Sequence, residues 1–235
     1  MIKLVIFDQD GVLVTPKSTW RLVKEQNDVD DLFAVKSLLR LNPKEEHGIE
    51  LGLLTGLPKS VFEEVASTVP LEPNVRETVA ALFAMGIEVH IVTLAPDVIA
   101  RGVAAKVNEK FKEDNFSRVH APIALFNTGD KLVGILAFPN KAFKHTSHIL
   151  DGNEMDKVKV IKNLIKRLNV RKDEVLFVGD GYDVEVAKAF PTIAYKSEDP
   201  NFYNHAIKRA NNLLEVVDYV KQVNFSSNPE KQKLL

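Results

Sequence analysis

The sequence predicts an α/β protein whose core is a doubly wound, Rossmann-like parallel sheet, with an inserted all-helical cap and a β-hairpin. Polar or glycine residues follow each of three short apolar runs, at residues 2–6, 87–92 and 175–178. Such runs are typical of buried parallel strands. Amphipathic segments separate these runs, and such alternation forms parallel sheets with right-handed crossovers. Residues 15–72 show only helical periodicity. We therefore predict a cap at residues 15–72 and a core at residues 1–14 and 73–235.

The predicted cap consists of helices alone. Ser18 or Thr19 can cap the first of them, and Pro58 is suited to open the last. Two further helices are predicted between these, over residues 29–41 and 48–55. The side chains expected to face inward are Trp20, Leu22, Val23, Leu32, Val35, Leu38, Leu39, Val61, Phe62 and Val65.

After residue 73 the core resumes. Apolar residues at positions 75, 79, 82 and 83 predict a helix that ends before Gly86. Two apolar segments, 123–126 and 132–138, flank the turn sequence Asn127-Thr128-Gly129-Asp130 and predict the hairpin. Further helices are predicted over residues 97–112 and 156–168. The polar tail from residue 226 is expected to be frayed.

Composition narrows the class of protein. Lys and Arg total 31 against 32 Asp and Glu, a formal charge of -1, which offers no basic field for nucleic acid or anionic lipid. The sequence has no cysteine, so disulfides and thiolate metal sites are excluded. The N-terminus lacks the pattern of a signal peptide, and no stretch reaches the roughly 20 apolar residues of a membrane helix. We expect a soluble cytoplasmic protein that binds neither nucleic acid nor membranes.

Polar residues follow or open elements at one expected edge of the sheet. Asp8 and Asp10 follow the first strand, Thr93 follows the second, and Asp180 follows the third. Lys157 lies near the start of a helix. Ligands of open parallel sheets bind outside the carboxyl ends of the strands, so these side chains are candidates for one site. Neighbouring carboxylates repel each other unless a cation or a shared proton holds them, and here we expect a hard metal ion.

These residues resemble the four motifs of the haloacid dehalogenase (HAD) superfamily of phosphohydrolases. Asp8-Gln9-Asp10-Gly11-Val12 is similar to the first motif, and Thr93, after Val89-His90-Ile91-Val92, to the second. Lys157 matches the third, and Gly179-Asp180-Gly181-Tyr182-Asp183 resembles the fourth. The resemblance spans nearly the whole chain. It is closest to the phosphoserine phosphatase branch, because of the hairpin and the spacing from Lys157 to Asp180.

The resemblance implies a Mg²⁺-dependent phosphatase that acts on a small phosphorylated metabolite. Asp8 would be the nucleophile that forms an aspartyl-phosphate, and Asp10 would protonate the leaving alcohol and then activate water. Mg²⁺ would be held by Asp8, Asp180 and the main-chain carbonyl of Asp10. The residues implied to bind phosphate are Gly11, Thr93 and Lys157.

Two departures from the family pattern stand out. Asp183 and Val184 occupy positions where phosphoserine phosphatases carry Asn and Asp, so Asp183 either serves as the second acidic support of the metal or that support is missing. In that branch a cap arginine before a Leu-Leu-x-x-Leu-Pro stretch binds the substrate carboxylate. Residues 48–58 contain no arginine, and Glu50 would repel a carboxylate. We therefore expect a substrate other than phosphoserine.

Several alternatives stay open. A phosphomutase is suggested by Asp10-Gly11-Val12. The altered fourth motif and the missing cap arginine are compatible with a binding or regulatory module that has lost turnover. A calcium loop at Asp8 is disfavoured because Val12 and Val14 supply no oxygen ligands. We interpret His90 as a histidine packed in the core, and His145 and His148 as residues of a polar loop. Trp20 is expected to pack in the core of the cap or to face the cleft as an apolar lid.

Overall fold

The computed structural model describes residues 1–27, 54–113, 118–136 and 156–226. The strands are β1 (Leu4–Phe7), β2 (Glu88–Val92), β3 (Val119–His120), β4 (Ile123–Phe126), β5 (Leu132–Leu136), β6 (Val175–Gly179), β7 (Thr192–Tyr195) and β8 (Lys208–Ala210). The helices are α1 (Thr19–Glu25), α2 (Lys59–Thr68), α3 (Val75–Ala84), α4 (Asp97–Val107), α5 (Glu109–Glu113), α6 (Lys157–Leu168), α7 (Val184–Ala189), α8 (Pro200–Tyr203) and α9 (Leu214–Ser226). A turn of 3₁₀ helix, Lys172–Glu174, precedes β6. None of the described helices is long and apolar enough to span a bilayer.

Six of the strands form one parallel sheet in the order β3-β2-β1-β6-β7-β8, which confirms the predicted doubly wound core. The chain winds from β1 outward to β3 and then returns to wind from β6 to β8. The order therefore reverses between β1 and β6, and a crevice at the carboxyl end of such a switch point is where ligands bind. The predicted hairpin is confirmed as the antiparallel pair β4 and β5.

The central strand β1 is buried on both of its faces. Val5 and Phe7 belong to the hydrophobic cluster that includes residues of α3, α4 and α9, whereas Leu4 and Ile6 belong to the cluster beneath α6. Successive side chains of a strand point to opposite faces, so each helical layer covers alternate residues. This explains why the first apolar run is continuous and not alternating.

The helical predictions are confirmed in most of the described residues. Ser18 caps α1 by accepting a hydrogen bond from the amide of Arg21, and Pro58 precedes α2. The helix predicted over residues 29–41 and most of the one over residues 48–55 lie outside the described residues. Three other predicted features also lie outside the described residues: the end of the second hairpin segment, the pair His145 and His148, and the tail after residue 226.

The single helix predicted over residues 97–112 is wrong, because the structure has two. The break lies at Asn108, whose backbone is extended and whose Oδ1 accepts a hydrogen bond from the amide of Lys110 at 3.0 Å. An Asn side chain that bonds to a nearby backbone amide favours a helix start over a helix interior. The elements β3, β7, β8, α7, α8 and α9 were not predicted. The three strands have only two to four residues each, too few for a periodicity to emerge.

Helix α2 packs against core helix α4. Lys106 donates hydrogen bonds from Nζ to the carbonyls of Ala66, Ser67 and Val69 at the end of α2. The start of α2 is joined to the hairpin, since the amide of Lys59 donates to the carbonyl of Asp130 at 2.8 Å. These contacts tie the second half of the predicted cap to core elements on two sides. The cap boundaries themselves stay a prediction.

Candidate active site

The loop after β1 places two aspartates at the carboxyl edge of the central strand. The amides of residues 12, 13 and 14 all donate hydrogen bonds to the carbonyl of Gln9, so the chain turns tightly just beyond Asp8. Gly11 has a φ of +72°, a left-handed conformation that favours glycine. Asp8 is 6% exposed, and its Oδ1 accepts a hydrogen bond from the amide of Gln9 at 2.7 Å.

Lys157 joins this loop to the one after β6. It is the first residue of α6, a helix capped by Asp156, and its side chain is buried. Its Nζ lies 2.9 Å from Oδ1 of Asp8 and 2.8 Å from Oδ2 of Asp183. Helix spacing alone would place this lysine among the exposed lysines of α6, but the structure brings it to the sheet edge.

Asp180 directly follows β6 and lies against the first loop. A Cβ added to Gly11 would be 2.3 Å from Oδ2 of Asp180, so only glycine allows the two loops to approach this closely. The other oxygen, Oδ1, is buried and has no hydrogen-bond partner among the described residues. A buried carboxylate oxygen without a partner is costly, unless a ligand or an ion satisfies it.

Thr93 lies at the same edge, one strand away. Strands β1 and β2 pair with Phe7 opposite Ile91, which brings Thr93 level with the start of the Asp8 loop. The amide of Thr93 donates to the carbonyl of His120 at 3.0 Å, and its Oγ1 accepts from the amide of Ala95 at 3.0 Å. The hydroxyl hydrogen can therefore be donated to a ligand. Within the described chain, no hydrogen bond links Thr93 to the aspartates.

Burial dominates the electrostatics of the site. It raises the pKa of Asp8 well above the ordinary value, although Lys157 opposes this, and it raises the pKa of Asp10 as well. Burial and the nearby charge of Asp183 raise the pKa of Asp180 to about 6. For Lys157, burial alone would lower the pKa, but the charges of Asp183 and Asp8 outweigh it and raise the pKa above its ordinary value.

The donor set fits a hard divalent cation. Asp8 and Asp180 are buried carboxylates, and Oδ1 of Asp180 has no hydrogen-bond partner among the residues that the structure describes. Across the described residues, no three His, Cys, Asp or Glu side chains gather closely enough to hold a metal by themselves. Mg²⁺ does not need such a cage, because it keeps several waters and binds through one or two carboxylates. The predicted ligand set of Asp8, Asp180 and the main-chain carbonyl of Asp10 therefore stays a prediction.

Comparisons with known proteins bear on the fold. No protein-family model and no curated protein matches the sequence. The structure is similar to a HAD family hydrolase from Salmonella enterica serovar Typhi, with a TM-score of 0.69 and 16% identity, covering 88% of this chain and 67% of that one. It is also similar to a phosphoserine phosphatase in the apo form, with a TM-score of 0.70 and 20% identity over 93% and 99% of the two chains. A third similar structure is a phosphoserine phosphatase from T. onnurineus, with a TM-score of 0.63 and 23% identity, covering 94% of this chain and 95% of that one.

The chain has the HAD hydrolase fold. The expected likeness to the phosphoserine phosphatase branch is confirmed at the level of fold, and the similarity covers nearly the whole chain. Within this fold, the structure gathers Asp8, Lys157, Asp180 and Asp183 at the switch point.

Thr19 also contacts a residue of the site, which its position in the sequence does not predict. The backbone amide and the hydroxyl of Thr19 both donate to Oδ2 of Asp10. Thr19 was considered only as a helix cap, and no motif marks it as part of the site. Trp20 is half-buried, and its Nε1 donates to the carbonyl of Leu94 at 3.1 Å, so it reaches the loop after β2. His90 is buried between Glu88 and His120, as a packed histidine should be.

Proposed function

We propose that this protein is a Mg²⁺-dependent phosphatase that hydrolyses a small phosphomonoester through an aspartyl-phosphate on Asp8. The observation that carries the proposal is the buried contact of Lys157 with Asp8, 2.9 Å from Nζ to Oδ1, beside Asp180 at the carboxyl edge of the sheet. A nucleophilic carboxylate next to a fixed cation is suited to attack an anionic phosphate. The similarity to HAD hydrolases and phosphoserine phosphatases supports this chemistry.

The reaction takes two displacements. In the first, a carboxylate oxygen of Asp8 attacks phosphorus, the bond to the leaving oxygen breaks, and Asp10 gives that oxygen a proton. In the second, the ionised Asp10 takes a proton from water, the water oxygen attacks phosphorus, and the Asp8–phosphorus bond breaks. Phosphate leaves, and both aspartates return to their starting states. Asp10 therefore serves first as acid and then as base.

The cation would be held by the carboxylates of Asp8 and Asp180 and the main-chain carbonyl of Asp10. Bound there, Mg²⁺ supplies positive charge that offsets repulsion between the nucleophile and the phosphate. Lys157 provides a fixed positive charge for a phosphoryl oxygen, and Thr93 provides a hydroxyl donor. Gly11 lets the backbone approach the phosphate closely.

We propose a substrate other than phosphoserine. One structure similar to this one is a substrate-bound phosphoserine phosphatase. In this chain, residues 48–58 contain no arginine that could bind a substrate carboxylate, and Glu50 adds a negative charge there. Absence of a bidentate carboxylate partner typically costs orders of magnitude in discrimination. A phosphorylated metabolite without a carboxylate near its phosphate therefore fits this segment better than phosphoserine does.

One observation bears on the alternative of a non-catalytic binding module. That alternative was suggested by the changed fourth motif, in which Asp183 and Val184 replace Asn and Asp. Asp183 is buried and pairs with Lys157 at 2.8 Å. The substituted residue therefore supports the lysine of the site, which favours an intact catalytic arrangement over a degraded one.

The test is a panel of alkyl and aryl phosphomonoesters, assayed for release of inorganic phosphate with Mg²⁺ and with a chelator. We expect Mg²⁺-dependent hydrolysis of at least one member and a loss of several orders of magnitude in Asp8→Asn. A folded wild-type protein that releases phosphate from no member would refute the proposal. Isomerisation of a sugar phosphate without release of free phosphate would indicate a phosphomutase instead.

A further inference from the structure

Thr19 makes two hydrogen bonds to the same oxygen of Asp10. Its backbone amide donates to Oδ2 at 2.8 Å, and its hydroxyl donates to the same atom at 3.1 Å. The side chain of Thr19 is completely buried. Nine residues separate the two along the chain, so this contact joins the loop after β1 to helix α1.

The position of Thr19 explains why both donors are available. It is the first residue of α1, and the amides of a first helical turn have no partner within their own helix. Ser18 caps the helix through the amide of Arg21, which leaves the amide of Thr19 for Asp10. The start of α1 and the carboxylate therefore satisfy each other.

A second contact fixes α1 against the sheet edge. The indole of Trp20, the next residue, donates to the carbonyl of Leu94, which directly follows Thr93. The helix is thus attached both to the loop after β1 and to the loop after β2. Thr19 is held in place by its surroundings, and a donor that does not move can fix the carboxylate that it contacts.

The two oxygens of Asp10 differ in their surroundings. Oδ2 accepts both donors of Thr19, whereas Oδ1 accepts one hydrogen bond among the described residues, from Nε2 of Gln9 at 3.1 Å. An oxygen that already accepts two donors is a poor place for a proton. The proton that a general acid must deliver therefore belongs on Oδ1.

We propose that Thr19 is a positioning residue for the acid–base carboxylate, which holds Asp10 by Oδ2 so that Oδ1 carries the proton to and from the reacting oxygens. This inference rests on the proposed phosphatase function. In the first displacement the leaving oxygen takes the proton from Oδ1, and in the second Oδ1 takes a proton from water. Thr19 acts through Asp10, the residue that both of its donors contact.

The test uses the dependence of general-acid catalysis on the leaving group. An alkyl phosphate expels a strongly basic oxygen that needs a proton, whereas p-nitrophenyl phosphate expels a weak base that does not. Thr19→Val keeps the shape and the backbone donor and removes the hydroxyl. We expect kcat/KM, which reports on the first displacement alone, to fall about ten- to hundredfold for the alkyl phosphate and to stay within about twofold for p-nitrophenyl phosphate.

Two further variants complete the test. Thr19→Ser keeps both donors and should restore most of the alkyl phosphatase activity. Thr68→Val removes an exposed hydroxyl that bonds to the carbonyl of Glu64 and should leave both rates unchanged. Equal losses of kcat/KM in Thr19→Val on both substrates, or no loss on either, would overturn the inference while wild-type activity still supports the phosphatase function. A wild-type protein that hydrolyses neither substrate would refute both.

Discussion

The ammonium group of Lys157 lies 2.8 Å from Oδ2 of Asp183, in a buried contact between the start of α6 and the loop after β6. Lys157 also contacts Asp8, so two carboxylates hold it from two different loops. Asp183 stands at a position where the phosphoserine phosphatase pattern has an Asn. In this chain the charged side chain at that position contacts the lysine of the site.

Asp183→Asn tests this support. The variant keeps the shape and removes the charge that holds Lys157 toward the site, so we expect kcat/KM for phosphomonoesters to fall about ten- to hundredfold. The control is Glu185→Gln, a neighbouring exposed acid that pairs with Lys188. If both variants keep wild-type kcat/KM, Asp183 does not position the lysine.

Mg²⁺ should stabilise the folded protein, because it binds the native site and not the unfolded chain. At about a hundredfold excess over its Kd the gain is about 2–3 kcal/mol, measured as a rise in the thermal unfolding midpoint. Asp180, the proposed ligand, would have to be ionised to hold the ion, and its pKa is about 6, so the rise should be larger at pH 8 than at pH 5.

The matched variants for this measurement are Asp180→Asn and Asp173→Asn. Asp173 lies in the exposed turn before β6, at the opposite end of that strand. We expect Asp180→Asn to lose the response to Mg²⁺ and Asp173→Asn to keep it. A response that survives in Asp180→Asn would place the metal elsewhere.

His120 should make stability depend on pH. Burial, with the nearby His90 adding to it, lowers the pKa of His120 to about 3, against about 6.5 in an unfolded chain. Between these values the unfolded state binds the proton and the folded state does not, so stability falls as the pH drops below about 6.5. His120 should contribute a loss of about 1–2 kcal/mol between pH 7 and pH 5, measured by urea unfolding without Mg²⁺ as the difference between the wild type and His120→Gln.

His120→Gln isolates this contribution. The aspartates of the site have raised pKa values and so act in the opposite direction, gaining folded-state stability as the pH falls. Because both proteins share the aspartates, the difference between their pH profiles reports on the histidine. Identical slopes from pH 7 to pH 5 would show that His120 is not held in its neutral form.

Glu72 is fixed by two groups from the end of β7. Its Oε1 accepts a hydrogen bond from the hydroxyl of Tyr195 at 2.7 Å and another from Lys196. The amide of Glu72 also donates to the carbonyl of Leu13, where the two segments joining the predicted cap to the core run side by side. Tyr195→Phe should therefore cost about 1–2 kcal/mol in urea unfolding. The control, Tyr219→Phe, should change the free energy of unfolding by less than about 0.5 kcal/mol. Equal losses in the two variants would show that the contact of Tyr195 with Glu72 does not stabilise the fold.

Much of the core could be predicted because its strands are buried on both faces. A continuous apolar run followed by Asp8 and Asp10 locates β1 and the loop beyond it with few alternatives. The edge strand β8 was missed because it consists of Lys208, Arg209 and Ala210, and exposed edges carry charged residues. The division of α4 from α5 was missed because Asn108 acts through one local hydrogen bond that apolar periodicity does not record.

For the site, the sequence indicates which residues end the strands but not which of them touch. The proximity of Asp8 and Lys157 follows from motif order and the parallel sheet. The contact of Asp183 with Lys157 and that of Thr19 with Asp10 join segments whose separation carries no periodic signal. Such contacts depend on how loops pack, so only the folded structure reveals them.

Binding of fluoroberyllate tests the central claim most directly, because this group bonds to a nucleophilic carboxylate in place of a phosphoryl group. Titration calorimetry should show binding by the wild-type protein only when Mg²⁺ is present. Asp8→Asn should not bind, and Asp173→Asn should bind as the wild type does. Binding that persists in Asp8→Asn, or that does not need Mg²⁺, would contradict a phosphoryl-accepting Asp8 beside a divalent cation.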